Sequence, residues 1–383
     1  MTGAELQRAL QSAFPRLPGP PSVRQLQGIA VRHRRTAMHA PLLSRIRPRN
    51  IVVFRALQLG DMLCAVPSLR ALRMRCPDAA ITLVGLPWAA GLAARFPHYI
   101  DDFLPFPGFP GLPERAPDLS AIPAFVAEAQ TRGFDLAIQM HGSGWLSNPV
   151  VALFGAARQA GFGQPDENGS CLPYPTRGSE VGRLLALMDH LGAPSAYRRL
   201  EFPLLPADHS ELATSGIAFA LGGRPYVCIH PGARDPRRRW PAERFAAVAD
   251  AVHALTGWTV VLTGSGEERA LTARVRQAMR APAIDAASPI SAGALAALIG
   301  GARLLVCNDT GVSHLAAALR TPSVVIFRCS ELERWAPEDR TRHRCVMAPD
   351  DGTTADQGEA EVMRQIRGLL DRDAPAPTDR ASA

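Results

Sequence analysis

Residues 50–85 read NIVVFRALQLGDMLCAVPSLRALRMRCPDAAITLVG, and this stretch decides the fold class. It begins with an apolar run at 51–54, turns at Leu59-Gly60-Asp61, continues as a predicted helix over 62–75 and ends in a second apolar run at 80–85. A strand, a helix and a strand in this order are typical of parallel sheets. The sequence therefore predicts an α/β protein.

The same alternation of strands and helices continues along most of the chain. A Pro- and Phe-rich stretch at 103–117 interrupts it and predicts a loop, and the pattern weakens between 155 and 225 before it restarts at the apolar run 226–230. Further strands are predicted at 136–140, 259–262, 304–307 and 323–327, and further helices at 89–95, 122–132, 181–191, 242–255, 268–279, 294–299 and 311–319.

Two repeats of this pattern predict two domains, and 383 residues exceed the size that one hydrophobic core usually organises. Because open α/β sheets bind ligands at the carboxyl ends of their strands, the two domains should face each other across a cleft lined by the loops that follow strands. We expect a basic extension over 1–49, Rossmann-like domains over 50–205 and 224–345, and a helix with a disordered tail over 346–383.

The first of these loops contains Gly60 and Asp61, directly ahead of a helix. Gly60 permits a tight turn, and Asp61 is placed at the helix N-terminus, where it could act as a general base or cap the helix. Composition alone favours the cap, because aspartate is strongly preferred at that position. Both interpretations stay open at this point.

The second loop, 230–241, reads HPGARDPRRRWP and carries three successive arginines. Guanidinium groups bind phosphate oxygens in pairs, so this loop suits a diphosphate. Its position after a strand favours that interpretation over a solvated surface loop. The chain contains no lysine, so arginine must do whatever phosphate binding occurs.

The third loop, 307–314, reads CNDTGVSH at the start of an alanine-rich helix. Free N–H groups and the helix dipole attract phosphate there, and Gly311 permits close approach. Asn308, Asp309 and Thr310 are also ordinary helix caps, so this junction alone is not specific. A companion loop, TGSGEE at 263–268, offers an acidic group that could bind ribose hydroxyls.

Four motifs, taken together in this order, resemble the ADP-heptose:lipopolysaccharide heptosyltransferases of glycosyltransferase family 9. They are Leu-Gly-Asp after the first strand, HPGA followed by basic residues and WPAERF, TGSGEE, and NDTGVSHL. The resemblance implies an inverting enzyme of the GT-B type, with two Rossmann-like domains facing across a cleft. It also implies ADP-heptose as the usual donor, bound to the C-terminal domain, and an inner-core lipopolysaccharide sugar as the acceptor, bound to the N-terminal domain.

The resemblance also implies roles for single residues. Asp61 matches the proposed general base of the family, Arg238 stands where members often have a lysine near the donor phosphates, and Glu267 matches the acid that binds ribose. The segment Asp309-Thr310-Gly311 matches the one that holds the diphosphate and the donor sugar. From the same motifs we assign four further residues to the donor site: Gly60, Gly264, Asn308 and His314.

We expect catalysis without a metal or a cofactor. Asp61 would take the proton of the acceptor hydroxyl, and Arg238 with the helix start at Thr310-Gly311 would stabilise the departing diphosphate. The seven cysteines are scattered without a C-x-x-C pair, which argues against structural zinc and a disulfide framework. Their spacing also gives no support for the iron-containing branch of the family.

The acceptor side departs from the family pattern. After the strand at 136–140 the sequence reads HGSGW, without the basic side chains that we expected there. The acceptor, a glycolipid or another glycan, is therefore less well defined than the donor.

Positive charge is concentrated in residues 1–49, whose nine arginines and single acid, Glu5, give +8, while the rest of the chain is near −1. Such an arm could dock on the anionic inner face of a membrane or on an acidic glycolipid. Three prolines, at 18, 20 and 21, favour a solvated, partly disordered extension instead. Few aromatic residues stand among these arginines, so we expect no nucleic-acid partner.

No window of 18 apolar residues and no segment typical of a secretory leader is found. We therefore expect a cytoplasmic protein, which could lie peripherally at the inner face of the membrane.

Two other functions stay open. A GT-B-like epimerase acting on a UDP-sugar would share the architecture and the nucleotide site. A non-catalytic protein that binds a sugar nucleotide or a glycan would share the fold, although Asp61 in its Gly-Asp turn argues mildly against it.

Overall fold

The computed structural model describes residues 40–287, 290–348 and 355–373. Most of the predicted basic extension and the predicted disordered tail from Pro375 therefore lie outside the described residues.

Two six-stranded parallel sheets form the framework of the protein. The first has the strand order β3-β2-β1-β4-β5-β6, and the second has the order β12-β11-β10-β7-β8-β9. The first sheet consists of β1 (Asn50–Phe54), β2 (Ala80–Gly85), β3 (Asp102–Pro105), β4 (Leu136–Gln139), β5 (Arg158–Phe162) and β6 (Cys171–Leu172). The second consists of β7 (Tyr226–His230), β8 (Thr259–Thr263), β9 (Ala283–Ala286), β10 (Leu304–Asn308), β11 (Ser323–Phe327) and β12 (His343–Met347).

Counted from its own first strand, each sheet has the order 3-2-1-4-5-6, which is the order of a Rossmann fold. The predicted α/β class with two Rossmann-like domains is confirmed. The order reverses between β1 and β4 in the first sheet and between β7 and β10 in the second. Ligands of such sheets bind at this reversal, outside the carboxyl ends of the strands.

Helices connect the strands and cover the sheets. In the first domain they are α1 (Leu42–Arg45), α2 (Leu59–Arg75), α3 (Ala90–Ala93), α4 (Ile122–Thr131), α5 (Ser147–Ala152) and α6 (Glu180–Leu191). Between and within the second sheet they are α7 (Pro206–Thr214), α8 (Ile217–Leu221), α9 (Ala242–Thr256), α10 (Arg269–Ala278), α11 (Ala292–Gly300), α12 (Gly311–Leu319) and α13 (Leu332–Trp335), and α14 (Ala355–Asp373) comes last.

Both faces of each sheet are buried. In β1, Ile51 and Val53 enter a hydrophobic cluster that also contains residues of the second domain, whereas Val52 and Phe54 enter a separate cluster on the opposite face. Successive side chains of a strand point to opposite faces, so a strand covered on both sides needs apolar residues throughout. This explains why β1 and its counterparts could be recognised as continuous apolar runs.

Five strands, β3, β5, β6, β9 and β12, were not predicted from the sequence. They are short or partly exposed, and β6 has only two residues, so they lack a continuous apolar run. The loop predicted at 103–117 is wrong in its first residues, which belong to β3.

The folded body begins before Asn50, where we had predicted its start. Leu42 and Leu43 of α1 are buried in the same cluster as Ile51. Arg45 donates hydrogen bonds to the carbonyl oxygens of Ala40 at 2.7 Å and Asn168 at 2.5 Å. The end of the predicted basic extension is therefore part of the first domain.

Candidate functional site

A cavity of about 530 Å³ lies where the reversal points of the two sheets face each other, and we call it the front cavity. The first domain contributes Gln58, Gly60 and Asp61, and the second contributes residues 233–238 and 309–311, His314 and Trp335. Seven of the ten predicted site residues line this cavity, whereas Gly264, Glu267 and Asn308 do not.

Asp61 lies in the first turn of α2, and its side chain is 25% exposed. Burial raises the pKa of this carboxyl above the ordinary value, against the opposing effect of Arg55. Gln58 is the N-cap residue of the helix, and in the described part of the chain no N–H group donates a hydrogen bond to the Asp61 carboxylate. The structure therefore gives Asp61 no capping bond and leaves its carboxylate facing the cavity.

A buried group of charges lies directly behind Asp61. Arg55 is 1% exposed, donates to the Asp61 backbone oxygen at 2.9 Å, and its Nη2 lies 3.9 Å from Asp61 Oδ1. The same Nη2 lies 3.1 Å from Oε1 of Glu180, whose other oxygen accepts from Tyr174 at 2.7 Å and from Arg334 at 3.0 Å. Because the same Nη2 lies closer to Glu180 than to Asp61, the Asp61 carboxylate keeps only a long contact with this arginine.

The charge on Glu180 is well compensated. Burial alone would raise the pKa of this carboxyl, but Arg55, Arg334 and the Tyr174 hydroxyl outweigh it and hold the pKa below its ordinary value. Burial and the nearby carboxylate raise the pKa of Tyr174 to about 12, so its hydroxyl remains a donor. Since Arg334 belongs to α13 and Glu180 to α6, this ion pair also joins the two domains.

The three successive arginines have different surroundings. Arg238 faces Asp309 at 3.2 Å and remains 35% exposed in the cavity wall. Arg237 is 82% exposed and pairs with Asp235 of its own loop, and Arg239 donates to the Ala233 carbonyl oxygen at 2.8 Å. Arg238 is thus the arginine of the three that is tied to the helix start after β10.

Asn308 shapes the arginine loop from behind instead of lining the cavity. Its buried side chain accepts from the Trp240 backbone N–H at 3.0 Å and donates to the Pro231 carbonyl oxygen at 2.8 Å. Both ends of the loop are therefore fixed to β10. This position does not support the prediction that Asn308 contacts the donor. It supports a role in holding the loop that carries Arg238.

Gly60 and Gly311 mark the closest approach of the two domains. A Cβ built on Gly60 would lie 2.7 Å from His314 Cδ2 and 3.2 Å from Gly311 Cα, and a Cβ on Gly311 would lie 3.2 Å from the Gly60 nitrogen. The N-terminal ends of α2 and α12 therefore meet at the cavity. Side chains larger than hydrogen at these positions would separate them.

His314 lies beside this contact and is 5% exposed. Burial lowers the pKa of its imidazole, in spite of the nearby carboxylates of Asp309 and Asp61, so the ring is neutral at neutral pH. Its Nδ1 lies 3.6 Å from Sγ of Cys64 on α2. Burial raises the pKa of the Cys64 thiol well above its ordinary value, which keeps this pair uncharged.

The TGSGEE loop lies outside the front cavity. Glu267 is exposed, and its neighbour Glu268 turns back to accept from the Ser265 N–H at 2.9 Å. A Cβ built on Gly232 would collide with Glu268 Oε1, so that carboxylate lies directly against the arginine loop. Gly264 packs against Thr272 and Glu268. The structure thus brings Glu268, and not the predicted Glu267, close to the other motifs.

After β4 the first domain holds a histidine paired with an acid, where we had expected basic side chains for the acceptor. His141 accepts from the Ala56 N–H through Nδ1 at 3.2 Å, and its Nε2 lies 3.4 Å from Glu114 Oε1. Arg234 of the second domain reaches the Glu114 carbonyl oxygen at 3.4 Å and also lines the front cavity. Glu114 comes from the stretch predicted only as a loop, so nothing in the sequence indicated this contact.

Several residues of the site were missed because they come together only in space. Arg55 lies a few residues before the Leu-Gly-Asp motif and Trp335 lies well beyond NDTGVSHL, and nothing in their local sequence indicates burial against a partner. Glu180 starts a helix behind an ordinary Ser179 cap, and Arg334 lies in a four-residue helix. Residues 55, 180 and 334 lie far apart in the sequence, so their ion pairs could not be predicted from it.

The described residues contain neither a metal-binding cluster nor a membrane-spanning helix. Within residues 40–287, 290–348 and 355–373, no three His, Cys, Asp or Glu side chains are arranged to hold a metal ion. Among the same residues, no helix has the length and apolar character needed to cross a bilayer.

Comparison with known proteins places these features in a family. The model of glycosyltransferase family 9 (heptosyltransferase) matches residues 130–366, which is more than half of the chain.

Individual relatives agree with this match. Lipopolysaccharide heptosyltransferase 3 of Escherichia coli is 31% identical over 167 residues, covering 42% of this chain and 47% of that protein, so the match spans about half of its length. Lipopolysaccharide heptosyltransferase 2 of Salmonella typhimurium is 24% identical over 300 residues, which cover 73% of this chain and 82% of that protein. The solved structure of E. coli ADP-heptose LPS heptosyltransferase II has a TM-score of 0.65 at 20% identity, covers 85% of this chain and all of that one, and supports the fold alone.

Proposed function

Because the chain belongs to glycosyltransferase family 9, and is therefore a glycosyltransferase, we propose that it transfers heptose from ADP-heptose to a sugar of the lipopolysaccharide core. We further propose that the transfer inverts the anomeric configuration and needs no metal ion. The observation that carries this proposal is that Asp61 on one domain and Arg238 with the start of α12 on the other line a single cavity. Relatives named for heptose transfer to lipopolysaccharide support the choice of sugar and acceptor.

The second domain has the features of a diphosphate site. Backbone N–H groups at a helix start, together with the helix dipole, attract negative charge, and Thr310 and Gly311 provide such a start in the front cavity. Arg238 adds a cation that is 35% exposed beside it. Its partner Asp309 orients the guanidinium but also competes with phosphate for it. Donor binding should therefore shift Arg238 towards the diphosphate.

The first domain has the features of a proton acceptor. Asp61 carries a carboxylate with a raised pKa and no hydrogen-bond donor among the described residues, so it is free to accept a proton from a substrate hydroxyl. In the proposed step the acceptor oxygen attacks the anomeric carbon while its proton passes to Asp61. The bond from that carbon to the diphosphate breaks, and the electron pair leaves with the diphosphate.

The diphosphate leaves with additional negative charge, which needs compensation in the absence of a metal. Arg238 and the N-terminal end of α12 provide it as fixed groups, which is an effective form of electrostatic stabilisation. His314 is neutral and buried, so it can donate to or accept from a sugar hydroxyl without adding charge. We therefore assign it to positioning of the transferred sugar.

The acceptor should bind along the loops that follow β2, β3 and β4, because these open on the same side of the cleft as Asp61. The pair of Glu114 and His141 would recognise sugar hydroxyls better than acidic groups. Action at the inner face of the membrane, with the arginine-rich residues 1–39 in contact with anionic lipid, is part of the proposal and concerns residues outside those described.

A transfer assay tests the proposed function. The enzyme is incubated with ADP-heptose and a heptose-deficient lipopolysaccharide core, with and without a chelator, and the new linkage is analysed by NMR. We expect one heptose to be added with inverted configuration at equal rates in both conditions. Calorimetry with ADP, UDP and GDP should show selective binding of ADP.

Three results would contradict the proposal in distinguishable ways. Selective binding of UDP or GDP would keep the fold and reject the donor. Conversion of a UDP-sugar without an acceptor would favour an epimerase. Binding of ADP-heptose without any transfer, across a panel of core acceptors, would favour a non-catalytic binding protein.

A further inference from the structure

A second cavity of about 390 Å³ lies behind the front cavity, and we call it the rear cavity. His314 lines both, so its imidazole forms part of the wall between them. The first domain contributes residues from α2, from the start of α6 and from the segment that follows α6. The second domain contributes residues from α12, α13 and the start of β12. The proposed transfer reaction does not use this cavity.

The rear cavity carries an excess of positive charge. Its walls contain five arginines and two carboxylates: Arg198, Arg199, Arg320, Arg334, Arg342, Glu338 and Asp339. Two of the arginines are already paired, because Arg198 lies 2.5 Å from Glu338 and Arg334 lies 3.0 Å from Glu180.

The two carboxylates are also occupied. Glu338 accepts from both Arg198 and the Ser179 hydroxyl, the latter at 2.6 Å. Asp339 accepts from the Thr341 hydroxyl at 2.6 Å and from the Arg342 backbone N–H at 3.1 Å. Little of their acceptor capacity is left for the other arginines.

Three guanidinium groups of the cavity have no carboxylate within hydrogen-bond distance: those of the exposed Arg199 and Arg320 and of the half-buried Arg342. Within the described ranges, neither Arg199 nor Arg320 makes a side-chain hydrogen bond or ion pair. Arg342 lies 3.7 Å from Asp339, beyond hydrogen-bond distance, and its Nε is buried without any hydrogen-bond partner. Buried donors in folded proteins are normally satisfied, so the Nε of Arg342 calls for an acceptor in the cavity, either water or a bound group.

The backbone at Arg320 supports this interpretation. It has φ of 61°, and no other non-glycine residue among those described has a positive φ. The left-handed conformation at the end of a helix usually belongs to glycine, because the Cβ of other L-residues disfavours it. In return, this position holds an arginine at the cavity and lets Arg342 donate to the Arg320 carbonyl oxygen at 3.4 Å.

We propose that the rear cavity is a second anion site, which binds a phosphate group through Arg199, Arg320 and Arg342. Guanidinium groups bind phosphate oxygens in pairs, and three of them match a tetrahedral dianion better than a single carboxylate. The phosphate is either free inorganic phosphate or a phosphomonoester carried on a sugar or a glycerol.

A phosphate in this site would connect the two domains. Arg70 of α2 donates to the Arg199 carbonyl oxygen at 3.2 Å and so holds this segment to the first domain, whereas Arg320 and Arg342 belong to the second. Binding therefore favours the arrangement in which Asp61 faces Arg238. By linkage, phosphate and donor nucleotide should each strengthen the binding of the other.

Calorimetry on the full chain tests this site. Inorganic phosphate and glycerol 3-phosphate are titrated separately at constant ionic strength, with ADP at saturating concentration so that the front cavity is filled. We expect binding to persist and to weaken about tenfold or more in the double variant Arg199→Gln/Arg320→Gln, because each lost charged hydrogen bond is worth roughly that factor. Arg276→Gln, an exposed arginine on α10, is the matched control and should bind as wild type.

Each outcome decides the proposal. Tighter binding of inorganic phosphate assigns the site to the free ion, and tighter binding of glycerol 3-phosphate assigns it to a substrate phosphate. Equal binding by the double variant and wild type, at equal thermal stability, overturns the proposal, as does complete loss of phosphate binding once ADP is saturating. If ADP itself does not bind, the proposed donor fails, while the dependence of phosphate binding on the arginines still tests the rear cavity.

Discussion

The loop after β1 and the loop after β7 leave their sheets at equivalent points, yet they carry opposite chemistry. The first ends in Asp61, whose carboxylate receives no hydrogen bond from the residues that the structure describes, and behind it Arg55 is buried and held by Glu180. The second presents Arg238 in the cavity wall, with Asn308 fixing the loop from behind. The shared topology determines where functional side chains lie, and buried partners determine which charges remain available. In the proposed mechanism, proton removal and diphosphate stabilisation belong to separate domains, so transfer requires both.

Among the changes that test this comparison of the two loops, replacement of Asp61 should have the largest effect on the transfer rate. We expect Asp61→Asn to reduce kcat for heptose transfer about 1000-fold, because general-base catalysis typically contributes 10²- to 10⁴-fold. Donor binding, measured as the Kd for ADP, should stay within about twofold of wild type, because α12 and Arg238 are untouched. Asp78→Asn, at an exposed position on the same domain, is the control. Full activity of Asp61→Asn would show that the acid is not the base.

Separation of the domains should have the next largest effect. Gly60→Ala places a Cβ 2.7 Å from His314 and 3.2 Å from Gly311, so the domains must move apart. We expect kcat/KM to fall about 100-fold, since a displacement of about 1 Å at reacting groups can cost that much. Gly91→Ala adds the same methyl group where no atom lies within 4 Å and should be silent. Unchanged activity of Gly60→Ala would mean that this contact does not set the active geometry.

The two neighbouring arginines offer a smaller and more selective comparison. Arg238→Gln should weaken ADP binding about 10- to 30-fold, the value of one or two charged hydrogen bonds. Arg237→Gln should change it less than about twofold, because Arg237 is 82% exposed and paired within its own loop. Calorimetry measures the Kd for ADP of both variants and shows whether only Arg238→Gln weakens binding. Equal losses in both variants would indicate a general electrostatic effect instead of one specific contact.

The smallest expected effect is on the pH dependence. Transfer needs ionised Asp61, so its rate should fall as the pH drops through a pKa above that of an ordinary aspartate. Glu180 helps to raise that pKa, so Glu180→Gln should move the acidic limb of the kcat/KM profile to lower pH, even where the absolute rate falls. Glu128→Gln, at an exposed glutamate on α4, should leave the limb in place. A shift to higher pH in Glu180→Gln would contradict the proposed arrangement of charges.

The sequence was informative where the residues of one segment are enough to predict its structure. The apolar runs of β1, β4, β7, β8, β10 and β11 are continuous because both faces of each sheet are buried, so they could be read directly. Gly60 was predicted to permit a tight turn and Gly311 to permit close approach, and the structure places the two glycines against each other. The position of the site followed from the rule that ligands bind after strands at the reversal of strand order.

The sequence was uninformative where function depends on contacts between distant segments. Glu180 and Arg334 have no local signal, because their importance arises from burial against Arg55 of another segment. Asn308 was assigned to the donor since its motif gives residue types without orientations, whereas its side chain faces the arginine loop. The predicted boundary between the two domains and the roles of single residues stay predictions, whereas the predicted start at Asn50 lies too late in the chain.

The contact between Cys64 and His314 turns a native thiol into a reporter of molecular opening. Sγ is buried 3.6 Å from an imidazole of the other domain, and its raised pKa keeps it unreactive in this arrangement. Cys64 also lines the rear cavity, so we expect its alkylation to be slow while the thiol is buried and faster when the domains separate. Its rate, read by mass spectrometry after the exposed Cys329 has reacted, follows that separation. The chain lacks lysine, so lysine-directed labels cannot follow its conformational exchange. The native thiol of Cys64 can serve as the label instead.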